Sequence, residues 1–364
     1  MIQAEFQTKL QRVRDFICQN GFDGVLYGNN ENFCWLSCGH YAFVDKGSSA
    51  AVAKLLITGD KQYVICNSSE KYRIPEEELA DLPFELVAYD WHDSEQQVIE
   101  QLINGKRIAS DNGAFGTVNC AQDLTKLRYV LTEQEITRYR EIGPLAAEIV
   151  EDCCREIKTG VSEYEIAGSV TGRLMALGFQ VPVCLVAADD RLLKYRHPLP
   201  TAKTVERTAM IAICTQKYGL TVSMSRIVSF GEPDALTAQK FDAVTKVDAV
   251  YILSTVASTK AGDIVKKGHA MYEQTGFEKD FHLHHQGGAL GYLTRDYCAN
   301  EENDSVVLDH QAFSWNPTIA GVKSEDTFLV FGDTQEIISK TSTWPQRSVT
   351  INGKTILRPD ILVK

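Results

Sequence analysis

The sequence lacks most of the features that would place it quickly. No apolar run reaches the ~18 residues that a membrane-spanning helix needs, so no membrane association is expected. There is no surplus of positive charge. Lys and Arg total 37 against 48 Asp and Glu, a net charge of -11. That balance excludes a nucleic-acid partner, which requires basic patches. The ten cysteines show no CxxC pair and no Cys/His zinc spacing, and Cys153-Cys154 is the only adjacent pair. Such scatter fits reduced, mostly buried thiols and a cytoplasmic location rather than a disulfide scaffold. The first residues, MIQAEFQTKLQRVRDF, are charged and amphipathic, with no apolar leader. P-loop, dinucleotide fingerprint, short repeat and low-complexity tract are all missing.

What is there is a long, well-patterned chain. Its 364 residues, 44% of them hydrophobic, suggest two domains with sizeable cores. Phe6, Leu10, Val13, Phe16 and Ile17 have helical spacing. Strand-like runs at 24–27, 50–57, 63–66, 84–88 and 107–110 then alternate with helical ones. That order gives an α/β domain over residues 1–128. Thr132-Glu133-Gln134-Glu135 opens a long helix, and Ser162 with Glu165 repeats the capping pattern before a second. The second domain is placed at 132–364. The boundary, Lys126–Leu131, has no Pro/Gly/Ser-rich linker. Strands at 181–186, 209–214 and 220–228 follow, then helices at 234–256 and 264–273. The densest chemistry lies between Phe281 and Val330: HHQGGALGY, His284 to Tyr292, then WNPTIAGVKSEDTFLV, Trp315 to Val330. The paired glycines suggest backbone that can approach a ligand closely. Two strand-like runs around Phe313 and Phe328 are joined by a Pro/Gly turn.

YGLTVSMSR, HHQGGALGY and KSEDTFLV, in this order, resemble the creatinase/prolidase/aminopeptidase P superfamily over residues 132 to about 345. The first 128 residues are similar, more weakly, to the creatinase/prolidase N-terminal domain. The resemblance implies an α/β (α+β) protein: an N-terminal α/β domain, then a pita-bread domain whose curved antiparallel sheet is covered by helices. Active peptidases of the superfamily hold two metals with two Asp, one His and two Glu. Ala212, Ser223, Gly288 and Asn316 stand at four of those positions here, and only Glu325 survives. A hard divalent cation needs several charged oxygens and a catalytic zinc usually three protein ligands. No metal at that centre, and no cofactor, is therefore expected, and the cavity should be roomier and less acidic.

The outer positions match better. His197 and His284 correspond to superfamily histidines, Arg226 to the hairpin Arg, and Arg295 and Lys323 to positions that vary between His, Arg and Lys. The resemblance implies catalytic roles for His197, His284 and Glu325. It places Arg226, Ser223, Gly288, Asn316, Arg295, Lys323 and Tyr292 around the substrate. His285 is assigned to packing. The plain structural alternative for Glu325 is a buried ion pair with Arg226 or Lys323. Three functions stay open. One is a metal-independent hydrolase of a C–N bond in a small nitrogenous compound, with the histidines moving protons and Glu325 orienting water or a cationic substrate. Another is a non-catalytic relative that binds a small molecule or short peptide. The third is a metal-dependent Xaa-Pro peptidase. A homodimer is expected, from resemblance alone.

Overall fold

The computed structural model describes residues 2–364. They fall into two units: residues up to Gln134 with Tyr218–Leu220, and Glu135–Lys217 with Thr221–Lys364. In the first unit, α1 (Ile2–Asn20) turns Phe6, Leu10, Val13, Phe16 and Ile17 into one buried face, as their spacing requires. The strands are β1 (Gly24–Asn29), β2 (Ala50–Thr58), β3 (Gln62–Asn67), β4 (Glu85–Tyr89), β5 (Ile108–Ser110) and β6 (Val118–Asn119), in the order β4-β3-β2-β1-β5-β6. β1 pairs antiparallel with β2 and parallel with β5, so the sheet is mixed. Helices α2 (Asn30–Leu36), α3 (Glu95–Ile103) and α4 (Ala121–Lys126) complete the unit. The buried Asp111 carboxylate ties β1 to α2, accepting from Gly28 N at 2.9 Å, Asn29 N at 3.1 Å and Asn32 Nδ2 at 2.8 Å.

The second unit opens with α5 (Glu133–Glu156) and α6 (Glu163–Ala176). α6 has the capping box read from sequence: Ser162 accepts from Glu165 N while Glu165 accepts from Ser162 N. β7 (Gln180–Ala188), the short α7 (Asp190–Lys194), β8 (Thr208–Lys217) and β9 (Leu220–Ser229) follow. α8 (Ala235–Ser254), N-capped by Asp234, buries Phe241, Val244, Val247 and Tyr251. Next come α9 (Ala261–Thr275) and α10 (Glu278–Phe281), then β10 (Gly287–Leu290), β11 (Tyr297–Cys298), β12 (Ala312–Trp315), β13 (Thr318–Ile319), β14 (Val322–Lys323), β15 (Asp326–Phe331) and β16 (Thr334–Ile337).

The sheet comes in two hydrogen-bonded pieces, β11-β10-β12-β15-β16 and β19-β9-β8-β7, where β19 is Leu362–Val363. Bonds from Thr221 N to Gly291 O (2.8 Å), Ser225 N to Glu325 O (3.1 Å) and Ser223 N to Thr327 Oγ1 (2.7 Å) stitch them along β9. The expected Pro/Gly turn is a small ladder, β13 on β14, between the paired strands β12 and β15. The C-terminal β17 (Gln346–Ile351), β18 (Lys354–Pro359) and β19 (Leu362–Val363) were not read from the sequence. β17 and β18 pair as a hairpin, and β19 adds parallel to β9.

Candidate active site

Lys323 ends β14 and Asp326 begins β15; across the two-residue break Lys323 and Glu325 meet on one side, while Ser324 and Asp326 turn to the other, towards Asp248, Arg226 and Arg358. On the first side, Glu325 is 4% exposed and faces a cavity of about 120 Å³ lined by His197, Ala212, Cys214, His285, Thr294, Arg295, Asn316 and Lys323. Arg295 donates from Nη2 to Glu325 Oε1 at 2.9 Å, and Lys323 Nζ sits 3.3 Å from Oε2. Ser314 Oγ adds a third contact at 3.3 Å. Burial by itself would raise the Glu325 carboxyl, but Lys323 and Arg295 outweigh it and hold the group below its ordinary range. Glu325 is thus an ionised carboxylate between two cations, and the triplet carries a net +1. The ion pair anticipated from sequence is with Lys323 and Arg295, not Arg226.

That arrangement corrects two expectations. Glu325 cannot orient a cationic substrate while both its oxygens face cations. The cavity is also not roomy, because the arginine and lysine fill space that smaller side chains would leave.

The histidines gather at the cavity. Arg196 anchors the segment carrying His197 through an ion pair with Asp280 at 2.6 Å. His197 Nε2 lies 3.0 Å from His284 Nε2, so one ring must donate and the other accept. Burial first, then Lys323, lowers His197 below the usual imidazole range, partly offset by Glu325. The same two causes, in that order, bring His284 to about 2. His285, assigned to packing from sequence, lines the cavity, and burial, Arg295 and Lys323 bring it to about 4. All three imidazoles are therefore neutral at pH 7 and can accept protons. Their ligand atoms lie within 4.8 Å of one another, so a metal ion is sterically possible there.

The remaining expected residues divide. Asn316 is buried in the cavity wall, with its side-chain oxygen unpartnered. Ser223 sits behind that wall, donating to Cys214 Sγ at 3.1 Å and accepting from Arg295 Nη1 at 3.4 Å. Cys214 itself carries no signal in sequence; burial, with Glu325 next, pushes its thiol up. Arg226, Tyr292 and Gly288 also lie outside the lining. Arg226 is on the opposite face, donating to Glu151, Asp326 and Ser339 O. Tyr292 is buried and donates to Glu135 Oε1 at 2.6 Å. Gly288 belongs to β10 rather than to a turn, with φ +154°, and an added Cβ would come within 2.2 Å of Tyr297 O. The glycine thus serves strand packing, not close approach to a ligand.

The family of the chain follows from this architecture together with three comparisons. The model of metallopeptidase family M24 matches residues 137–331, and that of the creatinase/prolidase N-terminal domain matches residues 9–142. An uncharacterized peptidase of Staphylococcus haemolyticus is 24% identical over 231 residues, covering 60% of this chain but only 64% of the relative. The fold is that of a dipeptidase PepE from Mycobacterium ulcerans (TM-score 0.80, 15% identity, 100% of this chain and 99% of that one). It is equally that of an Xaa-Pro dipeptidase from Bacillus anthracis (TM-score 0.78, 15% identity, 99% and 100%). With its N-terminal creatinase/prolidase domain and pita-bread second domain, the chain belongs to metallopeptidase family M24.

Proposed function

We propose that this chain is a metal-independent hydrolase that cleaves a C–N bond in a small nitrogenous compound carrying a carboxylate. A short peptide or an N-substituted amino acid has that chemistry. The observation that carries the reading is the Arg295–Glu325–Lys323 triplet. A dinuclear centre needs several anionic oxygens with free lone pairs. Here the single cavity carboxylate already faces two fixed cations, its neighbours are Ala212, Cys214 and Asn316, and a Cβ at position 288 has no space. The residues present do not fit a metal pair, so no step runs through one.

The triplet's extra positive charge suits the carboxylate end of a ligand, for which an Arg fork and a Lys are natural partners. The unpartnered Asn316 oxygen suits an N–H of the same ligand. The neutral His197–His284 pair supplies the proton acceptor. His197, the more exposed ring, takes a proton from the attacking water and returns it to the leaving nitrogen. The peptidase names of the relatives favour an enzyme over a purely binding protein.

The test is a panel of dipeptides and N-acyl or amidino amino acids, each paired with its carboxamide, assayed after chelator treatment. Expected is chelator-resistant turnover of some free acids and none of their amides, falling roughly 100-fold or more in His197→Ala. Xaa-Pro cleavage abolished by EDTA and restored by manganese or cobalt would overturn the proposal. Binding of the acids without turnover of any would favour the non-catalytic reading. A cytoplasmic homodimer belongs to the same proposal. Among the described residues no helix is long and apolar enough to cross a membrane, and burial raises the thiols of Cys66, Cys153, Cys154 and Cys184. Light scattering at micromolar concentration should give twice the 40.6 kDa chain mass.

A further inference from the structure

A second set of metal-ligating side chains stands apart from the cavity residues, on α9 and α10. His269, Glu278 and His282 bring one ligand atom each to within 4.8 Å of one another. Glu278 and His282 are four residues apart across α10 and its C-terminal cap, so they share a face. His269 comes from α9. Its Nε2 is buried with no partner, while its Nδ1 lies 2.8 Å from Glu301 Oε1. The ring also stacks on Phe281, with centroids 3.9 Å apart and 3° between planes. A carboxylate behind one imidazole nitrogen fixes the tautomer and aims the other nitrogen outward, which is how metal-binding histidines are commonly held. The fold keeps that carboxylate in place. At Gly262, near the start of α9, an added Cβ would meet Glu301 O at 2.6 Å, so the loop carrying Glu301 lies directly on the helix.

We propose that His269, Glu278 and His282 form a site for one divalent transition-metal ion, zinc first, with Glu301 as the positioning residue behind His269. Two imidazoles and one carboxylate suit zinc with water in the fourth position. Glu278 and Glu301 together balance the ion's charge. The site would staple α10 to α9. Asp280, which anchors Arg196, and the segment leading to His284 lie in or just after that staple. The inference is independent of whether the cavity is catalytic.

The experiment uses the full chain, stripped with chelator and titrated with zinc chloride by calorimetry and with cobalt chloride by visible absorption. Expected is one equivalent per chain, with cobalt d–d bands of a nitrogen/oxygen site. His282→Ala and Glu278→Gln, both at exposed positions, should weaken zinc by more than the ~10–100-fold expected for Glu301→Gln. His269→Ala should abolish the cobalt bands while circular dichroism stays native. Zinc binding unchanged in His282→Ala and Glu278→Gln would overturn the site. So would binding lost in His197→Ala, which would place the ion on the other histidine cluster, and so would no binding at all.

Discussion

Glu325 and Asp326 are consecutive and both buried, yet they serve ion clusters of opposite character. Asp326 lies 3.1 Å from Arg226 and 2.8 Å from Arg358. Glu151, 3.0 Å from Arg226, and Asp248, 2.6 Å from Arg358, extend that cluster to three carboxylates and two arginines. It is closed in the sense that its charged side chains are 0–1% exposed and Arg226 also donates to Ser225 O and Ser339 O, while a separate cavity of about 380 Å³ borders it. The Glu325 cluster has one carboxylate and two cations, and it opens on a cavity. An open cluster with charge left over can hold a ligand. Opposite side-chain directions at the entry to β15 assign the neighbours to the two clusters.

The largest effect should come from the closed cluster. Arg226→Met leaves Glu151 and Asp326 buried beside a missing cation and should cost about 3–5 kcal/mol of stability, measured by urea unfolding. No added small anion should restore it. Glu325→Gln should cost less, about 1–3 kcal/mol, because the two cations left behind can reach water through the cavity. Here added acetate should recover stability, since it binds the folded state alone. Equal losses in the two variants, or no acetate effect on Glu325→Gln, would erase the distinction.

Half of this contrast was legible in the sequence. The i,i+2 spacing of Lys323 and Glu325 suits one side and the i,i+1 spacing of Glu325 and Asp326 opposite sides, although the break between β14 and β15 shows only in the structure. The hairpin match puts Arg226 beside the substrate, but which face of β9 looks into the cavity depends on the bonds from Ser223 and Ser225 to Thr327 and Glu325, which are nonlocal contacts. Arg295 reaches Glu325 across 30 residues for the same reason. Helix caps such as Ser162 with Glu165 and Asp234 were readable because they are local hydrogen bonds. The Gly287-Gly288 pair looked like a ligand-binding turn, and only the neighbouring strands show that it serves close packing. His269, Glu278, His282 and Glu301 do not stand out as a set in the sequence. The Glu278–His282 spacing was visible, but His269 and Glu301 join it only through the packing of α9.

A smaller effect concerns pH. His284 is held at about 2 in the folded chain against 6.5 for an ordinary imidazole, chiefly by burial. Between those values the unfolded chain binds a proton that the folded chain refuses, so stability rises with pH through this window. The contribution is complete above about pH 6.5 and is lost progressively as the pH falls towards 2. Urea unfolding at pH 7 and pH 5 should show His284→Gln losing less on acidification than the unaltered chain. An identical loss would mean that His284 is not buried as described. Lys323→Met should raise the His197 pKa, since Lys323 lowers it, and move the acid limb of any activity profile to higher pH. An unmoved limb would separate His197 from the open cluster.

The most direct test of the open cluster is the metal content of His282→Ala, purified without chelator and read by elemental analysis. That substitution silences the α9–α10 site, so only the cavity can contribute. The account predicts no pair of manganese, cobalt or zinc ions per chain, because Glu325 is already engaged by Arg295 and Lys323. Two equivalents per chain, removed by Glu325→Gln, would contradict it.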